Sequence, residues 1–164
     1  MDPLLILTTG GTIDKVHDTR TEELVFTAEE LTQIPELLEI GRCYFPSNKE
    51  IMQKDSLDMG ETDRAEVLAA VLAATQQRIV VTHGTGTIEQ TAKYLDGKIG
   101  DKTVVLTGAM RPHSLGKSDA GFNLGGAIVA AQTLSTGIYV VMNGRVFTAE
   151  QVKKNVEAGR FDIS

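Results

Sequence analysis

Short, continuous apolar segments, each followed by glycine and small polar residues, recur along this chain. The first, residues 4–7, runs into Thr8-Thr9-Gly10-Gly11-Thr12. Similar apolar runs occupy residues 79–81, 104–106 and 138–141. A strand that is apolar on both faces belongs in the interior of a parallel sheet, where helices cover both faces. The pattern therefore predicts an α/β fold.

Segments with helical signals alternate with these runs. A capping-box pattern at residues 27–30 predicts a short helix that stops near Pro35, and a second capping box opens a helix over residues 63–72. Apolar residues recur at helical spacing over residues 88–95, and a capped helix follows over residues 118–134. This alternation predicts a three-layer, flavodoxin-like parallel sheet with helices on both faces. In such sheets, ligands bind at the carboxyl ends of the strands.

The remaining segments are less regular. Residues 14–30 are polar and predict a mobile loop or a small hairpin around residues 24–26. Residues 42–52 predict an irregular strand, and residues 146–147 a last short strand before a polar tail. We find no repeat or linker, so we expect a single domain over residues 1–164.

Composition narrows the classes of function. A net charge of −6 argues against nucleic acid or an anionic membrane surface as a partner. Cys43 is the only cysteine, so an internal disulfide is impossible. The start of the chain lacks a basic signal-peptide region, and we expect a cytoplasmic protein. The sequence contains neither structural-zinc spacing nor a phosphate-loop or dinucleotide glycine pattern, so we expect no metal and no cofactor.

Two threonines follow predicted strands and could carry chemistry. Thr12 comes after Gly-Gly, and Thr85 occupies the same relative place after residues 79–81. A threonine hydroxyl becomes a good nucleophile only when a base accepts its proton. The alternative is that Thr12 caps a turn and Thr85 caps the next helix. His83 follows a buried strand and is expected to be structural.

Two further segments carry polar side chains of the types such a site needs. Lys153 and Lys154 lie beyond the last strand, where a lysine could help to move a threonine proton, or both could be solvated surface residues. Asp55 and Ser56 lie between a strand and a capped helix. Ser56 could hold a substrate carboxylate, or the pair could serve only as helix-entry residues.

Three motifs together carry a family resemblance. Residues 9–13 read TGGTI, residues 81–87 read VTHGTGT, and residues 107–112 read TGAMRP, with Phe122-Asn123-Leu124 following. In sequence, order and spacing they resemble the bacterial-type L-asparaginase family, which includes glutaminase-asparaginases. The resemblance covers nearly the whole chain but only the family's larger N-terminal domain. It implies a short, single-domain branch, or a truncated chain, without the family's C-terminal domain.

The resemblance implies hydrolysis of L-asparagine, with L-glutamine as a further small-molecule candidate, through a covalent acyl-enzyme and without a cofactor. On this pattern Thr12 is the nucleophile, and Thr85 belongs to a proton-relay group with an aspartate and with Lys154, or with Lys153 if the alignment slips by one residue. N–H groups of Gly11 and Thr85 would form the oxyanion hole. The implied substrate-binding residues are Gly11, Asp55, Ser56, Gly84, the residue at position 86, and Ala109.

Departures from the family pattern concern the substrate. The family has aspartate where this chain has Gly86, and often glutamine where it has Leu57. The missing carboxylate normally binds the substrate α-ammonium and belongs to the proton relay, so substrate affinity should fall sharply. Glycine there is compatible with natural drift, retuned specificity or a deliberate inactivating substitution. The alternative function is accordingly a weak or inactive asparaginase-fold protein that binds a small amino acid.

Two further expectations concern the flexible loop and assembly. His17 lies five residues after Thr12, near where the family supplies a tyrosine. It could orient Thr12 or act as a base near neutral pH, or it could be a solvated loop residue. Gly- and Ala-rich helices in a short chain leave apolar surface to cover, which predicts a homo-oligomer.

Overall fold

The computed structural model describes residues 3–27 and 32–163. Its strands are β1 Leu4–Gly10, β2 Val16–Asp18, β3 Glu23–Val25, β4 Ser47–Lys54, β5 Arg78–Thr82, β6 Thr103–Thr107, β7 Gly137–Met142, β8 Arg145–Thr148, β9 Val152–Asn155 and β10 Arg160–Ile163. Its α-helices are α1 Ile34–Ile40, α2 Glu61–Ala73, α3 Ile88–Leu95 and α4 Ala120–Thr133. Six strands form one sheet in the order β4-β1-β5-β6-β7-β8. All neighbours are parallel except the β7–β8 pair.

Alternate residues of the central strands pack into two separate apolar clusters. In β1, Leu5 and Leu7 join the cluster that contains α2 and α3. Leu4 and Ile6 join the cluster that contains α1 and α4. Because successive strand side chains point to opposite faces, a strand that is apolar at every position must be covered on both sides. The predicted three-layer α/β architecture is thus confirmed.

Two helix boundaries differ from the prediction. Helix α1 begins at Ile34, close to where the sequence predicts a helix to stop, because Pro35 is well tolerated in the first turn, where its missing N–H has no intrahelical partner. The capping box at residues 27–30 lies largely outside the described residues. Helix α2 begins at Glu61, and the Asp63 carboxylate accepts a hydrogen bond of 2.9 Å from the Gly60 N–H.

The two small hairpins are β2–β3 and β9–β10, both antiparallel. The first agrees with the hairpin alternative for residues 14–30. The second corrects the prediction of a polar tail after β8. Val152 and Phe161 are buried in the α2–α3 cluster, so alternate residues anchor this second hairpin to the core. Among the described residues no helix is both long and apolar enough to cross a membrane.

Candidate active site

The two glycine-rich motifs meet in space. At the end of β1, Gly10 and Gly11 have φ values of +94° and +81°, which residues with a Cβ rarely adopt. A Cβ built on Gly11 would lie 2.4 Å from the backbone nitrogen of Gly84. Nothing larger than glycine fits this junction. The close approach therefore brings the residues that follow each glycine, Thr12 and Thr85, to the same edge of the sheet.

Thr85 and Lys154 are joined by a hydrogen bond between their side chains at this edge. The Lys154 Nζ donates a hydrogen bond of 2.8 Å to the Thr85 Oγ1, and Thr85 is buried. The backbone N–H of Lys154 donates to a carboxylate oxygen of Glu89 at 2.5 Å, which holds β9 against the start of α3. Lys153 is exposed and points away along the alternating strand. The structure therefore brings Lys154, rather than Lys153, to Thr85.

Ser56 lies across the same junction. It is 1% exposed, and a Cβ built on Gly84 would lie 2.7 Å from its Oγ. The Ser56 Oγ accepts a hydrogen bond of 3.1 Å from the Thr87 N–H, and the Thr87 hydroxyl donates to the Ser56 carbonyl at 2.7 Å. This pair of bonds fixes Ser56 beside the N-terminus of α3. The helix dipole favours negative charge at that end.

Asp55 connects the Ser56 segment to the turn that contains Thr12. One carboxylate oxygen accepts a hydrogen bond of 2.5 Å from the Lys15 Nζ, and the other accepts one of 3.0 Å from the Leu57 N–H. The hydrogen bond from Lys15 is the main reason that the pKa of Asp55 lies below its usual range. Lys15 follows the 3-10 turn Thr12–Asp14, so this ion pair holds that turn close to Ser56.

The loop after β6 is held by a carboxylate and an amide. Asp119 accepts hydrogen bonds from the backbone N–H groups of Met110 and Arg111, at 2.9 and 3.0 Å. Asn123 donates to the carbonyl of Gly108 at 2.9 Å. Ala109, between these anchored peptides, is buried. Its backbone is therefore held in place at the edge where the two motifs meet.

His83 is fully buried, with both ring nitrogens engaged. Nδ1 lies 2.7 Å from the Gly84 carbonyl oxygen, which can only accept, so Nδ1 carries the proton. Nε2 then accepts from the Thr91 hydroxyl at 2.8 Å, while Thr91 accepts from Arg64 at 3.1 Å. Burial lowers the pKa of His83 to about 4. His83 is thus a neutral histidine that supports the Gly84 turn.

Asp14 is a buried acid in the turn Thr12–Asp14. One oxygen accepts hydrogen bonds of 2.9 Å from the Thr32 hydroxyl and the Gln33 N–H. The other oxygen has no hydrogen-bond partner among the described residues. Burial raises the pKa of Asp14 to about 6, the two hydrogen bonds opposing the shift.

Two parts of the predicted site lack support in this geometry. The Gly11 N–H donates to the Lys54 carbonyl at 2.9 Å and is therefore not available as an oxyanion donor. His17 is exposed in β2 and lines a surface cavity of about 530 Å³ with Glu36 and His113, away from the Gly11–Gly84 junction. The contacts of the described residues thus give His17 no link to Thr12.

The position of Gly86 is covered by a neighbouring apolar side chain. A Cβ built there would lie 2.8 Å from the Leu57 Cδ2 and 3.1 Å from the Ser56 Oγ. Leu57 is 74% exposed, so it forms part of the rim of the site. Across the described residues, no group of three or more His, Cys, Asp or Glu side chains is arranged to hold a metal ion.

Two features characterise this site. A Gly-Gly-Thr turn packs on a second Gly-Thr turn at one edge of a parallel α/β sheet, and a lysine is hydrogen-bonded to the second threonine. They indicate a site whose chemistry depends on threonine hydroxyls. Residues 3–162 match the family described as "Asparaginase, N-terminal". The chain therefore belongs to the asparaginase family.

Individual relatives agree with this assignment. The chain is 32% identical over 162 residues to L-asparaginase 2 of Escherichia coli strain K12, covering 92% of this chain and 46% of the relative. It is 33% identical over 145 residues to a glutamyl-tRNA(Gln) amidotransferase component of Methanococcus vannielii, covering 86% and 34% respectively. A crystal structure of a probable cytoplasmic L-asparaginase from Campylobacter jejuni superposes with a TM-score of 0.81 at 28% identity, covering 98% and 52%. The chain thus spans about a third to a half of these relatives.

Several supporting residues carry no recognisable sequence signal. The sequence predicts Asp119 only as a helix cap and Asn123 only as part of a motif. Arg64 donates to Thr87 and Thr91, joining α2 to α3, although in the sequence it stands only within a capping-box segment. The Lys15–Asp55 pair joins residues forty positions apart. Only a comparison of related sequences could indicate such pairs in advance.

Proposed function

We propose that this chain is an asparaginase-type amidohydrolase that converts L-asparagine to aspartate and ammonia, with Thr12 as the nucleophile. The observation that supports it most directly is the hydrogen bond between Lys154 and Thr85, beside the Gly11–Gly84 junction. A lysine hydrogen-bonded to a buried threonine hydroxyl is placed to exchange a proton with it, which is the arrangement that proton transfer requires. We further propose a cytoplasmic location and no cofactor.

The proposed reaction has two steps. The Thr12 hydroxyl attacks the side-chain amide carbon, and its proton passes through Thr85 and the Lys154 amine to the leaving nitrogen. The carbon–nitrogen bond then breaks, ammonia leaves, and an ester to Thr12 remains. Water attacks this ester, restoring the threonine and releasing the carboxylic acid. The Thr85 N–H is the proposed donor to the oxyanion, and a donor of this kind is worth about 3 kcal/mol of barrier.

The substrate would lie between the strand ends. We assign its carboxylate to Ser56 at the start of α3, and its amide to the backbone around Ala109. Gly86 provides no carboxylate for the α-ammonium group, and activity on asparagine is accordingly impaired. The second candidate function, which Gly86 favours, is binding of a small amino acid without turnover.

Ammonia release by the purified protein tests the proposal. We expect measurable release from L-asparagine, with L-glutamine assayed alongside, and none from the Thr12→Ala variant. Undiminished activity of that variant would show that Thr12 is not the nucleophile. Saturable binding of asparagine or aspartate with no ammonia formed by the unmodified chain would favour the second function.

A further inference from the structure

The surroundings of Gly86 differ from those of the rest of the site. Ser56, Lys154 and the N-terminus of α3 all suit a negatively charged group. Beyond Ser56, the position that a side chain at residue 86 would occupy is bounded by the methyl end of Leu57. A ligand at Thr85 therefore meets polar groups on one side and an aliphatic surface on the other.

The carboxylates whose contacts place them nearby already have partners. Both oxygens of Asp55 are engaged, by Lys15 and by the Leu57 N–H. Glu89 accepts a hydrogen bond from the backbone N–H of Lys154. An ammonium group placed at Gly86 would face a leucine and lie near the Lys154 amine, which offers it no negative charge. Leaving a charged group without a partner lowers affinity by roughly ten- to a hundredfold.

Resting on the proposed function, we infer that the preferred substrates of this site are carboxamides that carry a carboxylate but no free α-ammonium group. Succinamate, which is asparagine with hydrogen in place of the amino group, is the simplest member of this class. The carboxylate binds at Ser56, the amide lies at Thr12 and Thr85, and the carbon that carries no ammonium packs against Leu57. The reaction itself is unchanged: the amide nitrogen leaves as ammonia, and succinate is the product.

A pair of matched substrates tests the inference. Ammonia release is measured with succinamate and with L-asparagine for the unmodified chain, Gly86→Asp and Leu57→Met. We expect kcat/KM to favour succinamate by at least about tenfold in the unmodified chain and in Leu57→Met, because neither supplies a carboxylate. Gly86→Asp should reverse the preference. Gly86 has no positive φ, and the nearest obstacle is the end of the exposed Leu57 side chain. The Ser56 Oγ, 3.1 Å from the added Cβ, must also shift by a few tenths of an ångström to accommodate this aspartate.

The outcomes separate the inference from the proposed function. Faster hydrolysis of asparagine by the unmodified chain, or an unchanged preference in Gly86→Asp, would overturn the inference while leaving the amidohydrolase intact. Hydrolysis of neither amide would refute the proposed function, and calorimetric binding of succinate against L-aspartate then decides the inference. Tighter binding of succinate supports it, and equal binding, or none, overturns it. If Gly86→Asp does not fold, Leu57→Glu introduces the carboxylate from the opposite side, with the same reversal expected.

Discussion

The Asp14→Asn variant should gain stability relative to the unmodified protein when the pH is raised from acid to neutral. The pKa of this buried carboxyl is raised from 3.8 to about 6. The folded state therefore binds a proton between these values that the unfolded state releases, so this group's contribution to stability falls as pH rises from 3.8 to about 6. The difference between the two pKa values corresponds to about 3 kcal/mol. At pH values above the folded-state pKa of Asp14, the free energy of unfolding is lower by this amount.

In the unmodified protein, a second buried group also makes stability depend on pH. Burial lowers the pKa of His83 from 6.5 to about 4, so its contribution has the opposite sign and stability is lost as pH falls through that interval. The two contributions nearly cancel over most of the range. The informative quantity is therefore the difference in free energy of unfolding between Asp14→Asn and the unmodified chain. The His83 contribution is the same in both proteins and cancels in this difference.

Thermal or urea unfolding at about pH 4 and about pH 8 measures this difference. Asparagine keeps the oxygen that accepts from Thr32 and Gln33, and any mismatch of its amide nitrogen is present at both pH values. We expect the variant to gain about 2.5 kcal/mol relative to the unmodified chain between the two conditions, or roughly 5–10 °C in Tm. Asp58→Asn, which removes an exposed carboxylate, is the control and should show no such change. An equal difference at both pH values for Asp14→Asn would refute the desolvation argument.

The relay, the glycine junction and the assembly each give a further prediction. Lys154→Met should lower kcat on the preferred amide by roughly 10²- to 10⁴-fold, whereas Lys153→Met should leave it unchanged, and similar losses in both variants would contradict the assignment of the relay. Gly11→Ala should destabilise the fold by about 3 kcal/mol or more, since its Cβ would lie 2.4 Å from Gly84. The matched control Gly97→Ala, with a φ of +73° but open space around the Cβ, should cost only about 1–2 kcal/mol in chemical unfolding. The exposed apolar residues of α4 predict a homo-oligomer, and sedimentation showing only monomer at working concentration would contradict this.

The architecture is predictable because a strand that is buried on both faces has apolar residues at consecutive positions, and such runs are visible in the sequence. Every residue of β1 is buried, and the apolar runs of β5, β6 and β7 have the same origin. Strand β4 gives a weaker signal because it lies at the sheet edge and is largely exposed. The β9–β10 hairpin escapes prediction because it has only two deeply buried anchors, Val152 and Phe161, set among polar residues.

The candidate site is predictable where backbone shape constrains the residue type. Gly11 and Gly84 are needed for a close approach of two chain segments, and such glycines are visible in the sequence. Lys154 is distinguishable from Lys153 in the sequence only by alignment, since the alternation of β9 becomes known with the hairpin. The hydrogen bond from the Gly11 N–H to Lys54 could not be predicted for a different reason. The bulge between Thr8 and Gly10 alters the pairing with β4, and a one-letter sequence carries no information about that register.

In this chain the groups proposed to carry the chemistry do not include a side chain at residue 86. The Gly11–Gly84 contact and the hydrogen bond between Lys154 and Thr85 involve no atom of residue 86 beyond its backbone. A change at residue 86 thus alters what lies beside the substrate without moving the groups proposed to break the amide bond. Substitutions at Lys154 should act on kcat for every amide, while Gly86→Asp should act most on kcat/KM for substrates that carry an α-ammonium group.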